Sequence, residues 1–153
     1  YYASLLESRG RDAEALSHYL TARRDRPREV AVLEGLGQLY LKQGRSGEAV
    51  AVLQEAAGYH PENPGLQDRL GTAYLAANRG PEAVAVLRRA VKQRPTFAPS
   101  HVNLGYAYAA SGDPDAAIAA LERGLALDPS LTAASQKLSG LYVKTYGARS
   151  IGK

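Results

Sequence analysis

The sequence predicts an all-α solenoid of paired helices, and three observations lead to this prediction. Informative residues recur every 34 positions, apolar residues within each period lie three and four apart, and no segment alternates long enough for a strand. A fixed period of this length is typical of stacked units that each contact only their neighbours. The recurring residues are Ala15, Ala49, Ala83 and Ala117; Pro27, Pro61, Pro95 and Pro129; Leu36, Leu70, Leu104 and Leu138; and Tyr40, Tyr74, Tyr108 and Tyr142.

The first helix of each unit carries one apolar face with a glycine on it. Leu36 and Tyr40 are four residues apart and share that face, on which Gly37 also lies. A glycine inside a helix costs about 1 kcal/mol relative to alanine. Because the glycine recurs as Gly71 and Gly105, we expect it to let the paired helix approach closely.

The second helix of each unit presents the facing stripe. In the second unit this stripe consists of Ala49, Leu53 and Ala56, which again lie three and four residues apart. Small residues on one helix therefore meet large residues on the other, as interdigitated helix packing requires.

Turn residues set the helix boundaries. Asn63-Pro64 and Asp113-Pro114 each read as an N-cap followed by a proline in the first turn. Gly44, Gly112 and Asn78 follow first helices where a left-handed residue is favoured. The predicted helices span about 1–9, 12–25, 30–43, 46–59, 64–77, 80–93, 98–111, 114–127 and 132–146.

The combined pattern Leu-Gly-x-x-Tyr, Ala-x-x-x-Leu and Pro resembles the tetratricopeptide repeat, a helix–turn–helix of 34 residues. The chain departs from the family in two places. Leu33, Gln67 and His101 replace the leading tryptophan, and leucine replaces the phenylalanine of the second helix. The resemblance implies a right-handed superhelix whose first helices line a concave face.

The repeats divide the chain into a tetratricopeptide domain over residues 1–146 and a short tail over 147–153. The domain comprises a partial unit (1–29), three units (30–63, 64–97 and 98–131) and a capping helix (132–146). Because the chain begins in mid-unit, we expect a fragment or a processed product. We expect upstream sequence or a second copy to cover the apolar residues at that end, which are Tyr1, Tyr2, Leu5 and Leu6.

Composition excludes several classes of function. The chain has no cysteine, so disulfides and thiolate chemistry are excluded, and no apolar run long enough to span a membrane. The net charge is +4, with basic clusters at 23–28 and 88–94. These clusters suit an anionic partner or simply complement helix C-termini. Because no aromatic residues interleave with them, nucleic acid is not the expected partner.

The sequence offers no catalytic constellation, so we expect a protein that is not an enzyme and uses no cofactor or metal. His18, His60 and His101 occupy different repeat positions, and none is spaced for a metal site. We expect His101 to pack at a helix interface and His60 to be exposed. The carboxylates Glu48 and Glu82 recur at one position near the start of second helices, which indicates a structural role.

The resemblance implies a peptide groove on the concave face. Its candidate binding residues are Glu34, Gln38, Arg69, Thr72, Asn103, Tyr106 and Lys137. Gly35, Asp68 and Val102 belong to the same set of inner repeat positions. Family members that bind chaperone tails use a clamp of lysines, asparagines and an arginine. Since Glu34, Gln38 and Pro99 occupy clamp positions here, chaperone-tail binding is not expected.

The predicted function is a non-catalytic scaffold that binds a protein or peptide partner. Two alternatives stay open, namely a structural subunit of a homo-oligomer or filament and a non-catalytic domain of a larger enzyme. The alanine- and arginine-rich composition favours a bacterial source, with the cytoplasm and the cell envelope or exterior equally compatible.

Overall fold

The computed structural model describes residues 2–147, and within that range the chain forms nine α-helices followed by a π-helical turn. The all-α prediction is confirmed. Tyr1 and the predicted tail beyond Gly147 lie outside the described residues. The helices are α1 (Tyr2–Ser8), α2 (Asp12–Asp25), α3 (Val30–Lys42), α4 (Ser46–Tyr59), α5 (Pro64–Ala76), α6 (Gly80–Gln93), α7 (Ala98–Ala110), α8 (Pro114–Leu127) and α9 (Thr132–Tyr142), and the turn is Val143–Gly147.

The helices pack in sequence order as a stack of pairs. Each helix contacts the next one along the chain, and the first helix α5 also contacts the first helices α3 and α7 of the units on either side. The buried residues form one long cluster that runs from Ala3 in α1 to Ala120 in α8. A smaller cluster around Val102, Leu121 and Ala134 joins α9 to the last pair.

The predicted close approach at the glycines is confirmed in all three complete units. A Cβ added to Gly37 would lie 2.7 Å from Cγ of Leu53, and one added to Gly105 would lie 2.6 Å from Cγ of Leu121. Gly71 is placed in the same way against Leu87. The leucines are fully buried, so the missing side chain is what allows the two helices of each unit to meet.

An arginine at the start of the second helix ties that helix to its partner in the second and third units. The guanidinium of Arg45 lies 4.5 Å from the ring centre of Tyr40, and Arg79 lies 4.8 Å from that of Tyr74. The same arginines bond to the recurring carboxylates, with Arg45 paired to Glu48 and Arg79 to Glu82. The structural role predicted for the recurring glutamates is thereby confirmed.

The predicted stop and start signals are also confirmed. Gly44, Gly112 and Asn78 have φ values of 72°, 82° and 56°, in the left-handed region. Asn63 accepts hydrogen bonds from the backbone N–H groups of Gly65 and Leu66, and Asp113 accepts one from Ala116. In the fourth unit this capping aspartate stands where the preceding units have Arg45 and Arg79.

The last helix is shorter than the predicted 132–146. Its α-helical part ends at Tyr142, and the chain continues as the π-helical turn. The hydroxyl of Tyr142 donates to Glu122, and that of Tyr146 donates to Asp115 at 2.8 Å. Both tyrosines thus bond to carboxylates of α8 rather than enter the core, which explains why Tyr142 is more exposed than Tyr40 or Tyr74.

At the other end, α1 leaves part of its apolar surface open. Tyr2 is 57% exposed and Leu5 is 46% exposed. The expectation for Leu6 was wrong, because this side chain is only 2% exposed. Leu6 holds the repeat position of Tyr40 and belongs to the same buried cluster.

Within residues 2–147, none of the helices combines the length and the apolar character that a bilayer span needs.

We predict that Gly71→Ala destabilises the protein although alanine is the better helix former. The new methyl group would overlap Leu87, and overpacking costs about 1–3 kcal/mol against a gain in helix propensity of about 1 kcal/mol. Gly58→Ala is the matched control, because nothing lies within 4 Å of its added Cβ. Urea denaturation should show a lower midpoint for the first variant and an equal or higher one for the second. Equal stabilisation by both would contradict the close approach.

Candidate functional site

Two of the predicted groove residues are bonded to each other. Nε of Arg69 on α5 donates to Oε1 of Glu34 on α3 at 3.1 Å. Their side chains are 39% and 24% exposed, so the pair lies at the surface between two units. The bond uses one of the five N–H donors of the guanidinium, and the terminal nitrogens stay available for a further acceptor.

Polar side chains continue along the same set of first helices. Gln38 on α3 and Thr72 on α5 are exposed, and Asn103 on α7 is half-buried. The hydroxyl of Thr72 donates to the backbone carbonyl of Asp68 at 3.0 Å, one turn earlier in α5.

Tyr106 and Lys137 are brought together where α9 packs on the pair formed by α7 and α8. They line an open depression of about 590 Å³ whose other walls are Ala109, Ala110, Ala133 and Gln136. Tyr106 is half-buried and Lys137 is exposed without an ion pair among the described residues. The small alanine side chains leave the tyrosine ring accessible from the depression.

Three residues at the predicted inner positions are buried instead. Asp68 and Val102 face neighbouring helices, and Gly35 lies under the ring of Tyr19. A Cβ added to Gly35 would be 2.5 Å from that ring. Tyr19 holds the repeat position of Leu53. Because its ring is larger than a leucine side chain, it needs Gly35 at the position that Arg69 holds in the third unit.

Tyr19 also brings a polar contact to the first unit. Its hydroxyl donates to Oε2 of Glu7 on α1 at 3.3 Å. Burial raises the pKa of the Tyr19 hydroxyl to about 12, and the neighbouring Glu7 carboxylate acts in the same direction. The hydroxyl therefore stays protonated further into the alkaline range than an exposed tyrosine does.

A buried polar cluster between the third and fourth units was missed by the sequence analysis. Oδ2 of Asp68 accepts hydrogen bonds from Oγ of Ser100, at 2.8 Å, and from the guanidinium of Arg94. The Arg94 guanidinium also lies 4.1 Å from the ring centre of Phe97. The pKa of Asp68 is raised, because burial raises it more than the Ser100 hydroxyl and the Arg94 guanidinium lower it. The sequence pattern had grouped Arg94 with the surface arginines.

The two basic clusters of the sequence differ in the structure. In the first, Arg23 binds Glu55 at 2.5 Å, Arg24 and Arg26 pair with local carboxylates, and Arg28 stacks on Tyr59. In the second, only Arg94 is paired within the described residues, while Arg88, Arg89 and Lys92 make no ion pair.

The histidines stay apart. His101 is 8% exposed and its Nε2 lies 2.8 Å from the carbonyl oxygen of Pro95, so the expected interface packing is confirmed. His60 is exposed, as expected, and His18 meets the ring of Tyr2 edge-on at 4.9 Å. No group of three or more metal-binding side chains lies together in the described part of the chain.

A second depression, of about 610 Å³, lies among α1, α2 and α3. Its walls include Tyr2, Ala22 and Val32. Helix α1 begins at Tyr2, which holds the repeat position of Leu36. The depression therefore lies at the place that the first turns of the first helix occupy in the complete units.

Comparisons with sequence families agree with this architecture. Three models described as tetratricopeptide repeat match residues 40–104, 2–65 and 98–131. The chain belongs to the tetratricopeptide repeat family, whose domains are protein-interaction modules and typically non-catalytic. A search of curated proteins finds no match.

Solved structures with a similar fold come from several sources. MamA from Desulfovibrio magneticus RS-1 (residues 41 to the end) has a TM-score of 0.86 at 24% identity, over 94% of this chain and 81% of that one. At that identity the likeness shows the fold alone. TTC0263, a TPR protein of the thermophile Thermus thermophilus, has a TM-score of 0.76 at 27% identity, over 95% and 80% of the two chains.

A third similar structure contains a bound peptide. It is the first TPR of Spaghetti (RPAP3) bound to the HSP90 peptide SRMEEVD, with a TM-score of 0.69 at 26% identity, over 73% of this chain and 89% of that chain.

We predict that Asp68→Ala destabilises the protein by about 1–3 kcal/mol, because it leaves a partly buried guanidinium and a buried hydroxyl without their acceptor. Glu34→Ala is the matched control. Glu34 holds the same repeat position and also binds an arginine, but that pair is more exposed, so the loss should stay below about 1 kcal/mol. Urea denaturation measures both. Equal losses would mean that burial does not distinguish the two contacts.

Proposed function

We propose that the chain binds an extended peptide segment of a partner protein along the concave face formed by its first helices. The observation that carries the proposal is the depression between α7 and α9, where Tyr106 lies beside Lys137. An aromatic ring in a depression makes a large contact with little loss of side-chain freedom, and such rings are frequent anchors in interfaces.

The chemistry of the depression suits a short peptide anchor. The alanine walls leave room for an apolar side chain against the Tyr106 ring. Lys137, which has no ion pair among the described residues, offers three donors to a backbone carbonyl or a carboxylate. An apolar residue next to an acceptor is therefore the element we expect in the bound segment.

The rest of the face supports a longer contact. Arg69 retains donors after its bond to Glu34, and Gln38, Thr72 and Asn103 supply amide and hydroxyl groups. Amides can both donate to and accept from an extended backbone. The RPAP3 complex shows that a related fold takes a peptide, although here Glu34 and Gln38 replace the charged and amide residues of a chaperone-tail clamp.

We predict that Tyr106→Ala weakens the binding of a groove peptide by about 1–2 kcal/mol, because it removes the aromatic anchor. The probe is a peptide selected from a phage-displayed random library on the wild-type chain, and fluorescence anisotropy measures its affinity. Adding Arg69→Ala should weaken binding further.

The matched control for that experiment is Tyr59→Ala with Arg24→Ala, which removes an exposed tyrosine and an arginine from second helices. It should leave the affinity within about two-fold of the wild type, since surface substitutions away from an interface have small effects. Equal affinity of the wild type and the Tyr106→Ala, Arg69→Ala variant would place peptide binding elsewhere. Failure to select any peptide would also count against the proposal.

A second candidate function is self-association through α1. Leu5 is 46% exposed, whereas the same repeat position is fully buried as Leu39, Ala73 and Ala107. In the complete units this surface packs against the preceding unit. If a second copy covered α1 with a different part of its own surface, the contact would be heterologous. Such contacts build an open chain of molecules unless the copies close into a ring.

We predict that Leu5→Glu shifts the protein toward the monomer in sedimentation equilibrium, because it places a charge on the apolar surface of α1. Leu20→Glu is the control, since Leu20 is similarly exposed at 43% but lies on α2. A wild-type protein that stays monomeric at high concentration, or an equal shift in both variants, would rule out this second function.

A further inference from the structure

Every carboxylate of this chain has at least one bonding partner within its own fold. The sequence contains 15 aspartates and glutamates, all within the described range. Nine of them form ion pairs. The other six accept hydrogen bonds from side chains or from backbone N–H groups. No carboxylate of the chain is therefore left without a bonding partner.

The cations are distributed differently. Eight lysines and arginines in the described range make no ion pair, and half of them lie on the two successive second helices α6 and α8. Arg88, Arg89 and Lys92 are exposed on α6, and Arg123 is exposed on α8 at the repeat position of Arg89. We call these four residues the basic patch.

Complementation of the helix dipole does not explain the basic patch. That interaction is confined to the last turn of a helix. Lys92 lies in the last turn of α6, but Arg88 and Arg89 precede it, and Arg123 precedes the last turn of α8. In addition, Arg88 and Lys92 are four residues apart on one helix, a spacing at which like charges repel. The structure shows no contribution of these residues to the stability of the fold.

The surroundings of the basic patch limit the kind of partner. The exposed residues of α4 and α8 include the small residues Ala51, Gly58, Ala119 and Ala126, and also the carboxylate Glu122 beside Arg123, which accepts a hydrogen bond from Tyr142. None of the large apolar side chains exposed in the described range lies on α6 or α8. Helices α6 and α8 themselves thus carry no exposed aromatic ring for stacking bases and no large exposed apolar group for insertion into a bilayer, and the exposed Tyr142 beside α8 has its hydroxyl bonded to Glu122.

From these observations we infer that the basic patch binds an acidic polypeptide segment. Arginine binds carboxylates through paired, geometrically matched hydrogen bonds. Within this chain Arg11 and Arg45 bind Glu14 and Glu48 through two hydrogen bonds each. Arg23 and Arg69 each bind a carboxylate of a neighbouring unit, Glu55 and Glu34, through one hydrogen bond. Arg89 and Arg123 hold the repeat position that Glu55 holds in the second unit, and neither makes an ion pair within the described residues.

The basic patch is separate from the proposed groove, because the patch lies on α6 and α8 and the groove residues lie on α3, α5, α7 and α9. A protein that held a peptide in the groove and an acidic segment on α6 and α8 would connect two partners. This inference does not depend on the groove being a binding site.

The test uses the 153-residue chain and a fluorescein-labelled oligo-glutamate peptide as the probe. We expect the triple variant Arg88→Gln, Arg89→Gln, Lys92→Gln to bind the probe about ten-fold more weakly in fluorescence anisotropy at low salt. The matched control, Arg9→Gln, Arg28→Gln, Lys144→Gln, removes the same charge from cations elsewhere that also make no ion pair. It should weaken binding by less than about three-fold, as screened non-specific attraction predicts.

Further probes identify other outcomes. The groove variant Tyr106→Ala, Arg69→Ala should keep its affinity for oligo-glutamate within about three-fold of the wild type. Equal losses in the patch variant and the control, or a larger loss in the groove variant, would overturn the proposal. Tighter, patch-dependent binding to oligo-thymidine or to vesicles of phosphatidylcholine with phosphatidylserine would overturn it in favour of a nucleic acid or a membrane.

Discussion

Gly37, Gly71 and Gly105 allow the two helices of each complete unit to approach until a buried leucine of the second helix lies against the backbone of the first. This contact sets the geometry of the unit. The helix pair is too small to bury its apolar surfaces alone, so each pair also packs against the next. The long buried cluster from α1 to α8 is the result, and it fixes which side of every helix remains outside.

Contacts between units vary more than contacts within them. Glu34 and Asp68 hold one repeat position, and each binds an arginine, but the first pair is at the surface and the second is joined by Ser100 in a buried cluster. Buried polar groups are costly when a partner is removed, whereas exposed pairs contribute little. The buried polar cluster between the third and fourth units therefore constrains the stack more strongly than the exposed pair between the second and third units.

Pairing with carboxylates distinguishes the charged side chains that stabilise the stack from those that are available to a partner. Arginines near carboxylates stabilise the stack, as Arg45 and Arg79 do by covering a tyrosine and binding a glutamate. Lys137 and the basic patch have no such role in the described residues. They lie on two different surfaces, one lined by first helices and one by second helices. A scaffold with two separate surfaces can hold two partners without a change of conformation.

Much of the fold was determined by the sequence, because the 34-residue period, the glycine on each first helix and the turn residues all act through local chemistry. The left-handed residues Gly44, Asn78 and Gly112 and the caps Asn63 and Asp113 could be identified without tertiary information. Inner repeat positions were predictable as a set. Their individual exposure was not, since it depends on the size of a side chain from the preceding unit, as Tyr19 over Gly35 illustrates.

Tertiary structure alone decided which charges are free. Arg94 and Arg88 belong to one cluster in the sequence, but packing half-buries the first beside Asp68 and leaves the second in solvent. It also showed that Tyr142 bonds to Glu122 at the surface although it shares a repeat position with the buried Tyr40. The period specifies which residues are equivalent, whereas pairing depends on the neighbour that each unit meets, and that neighbour changes along the stack.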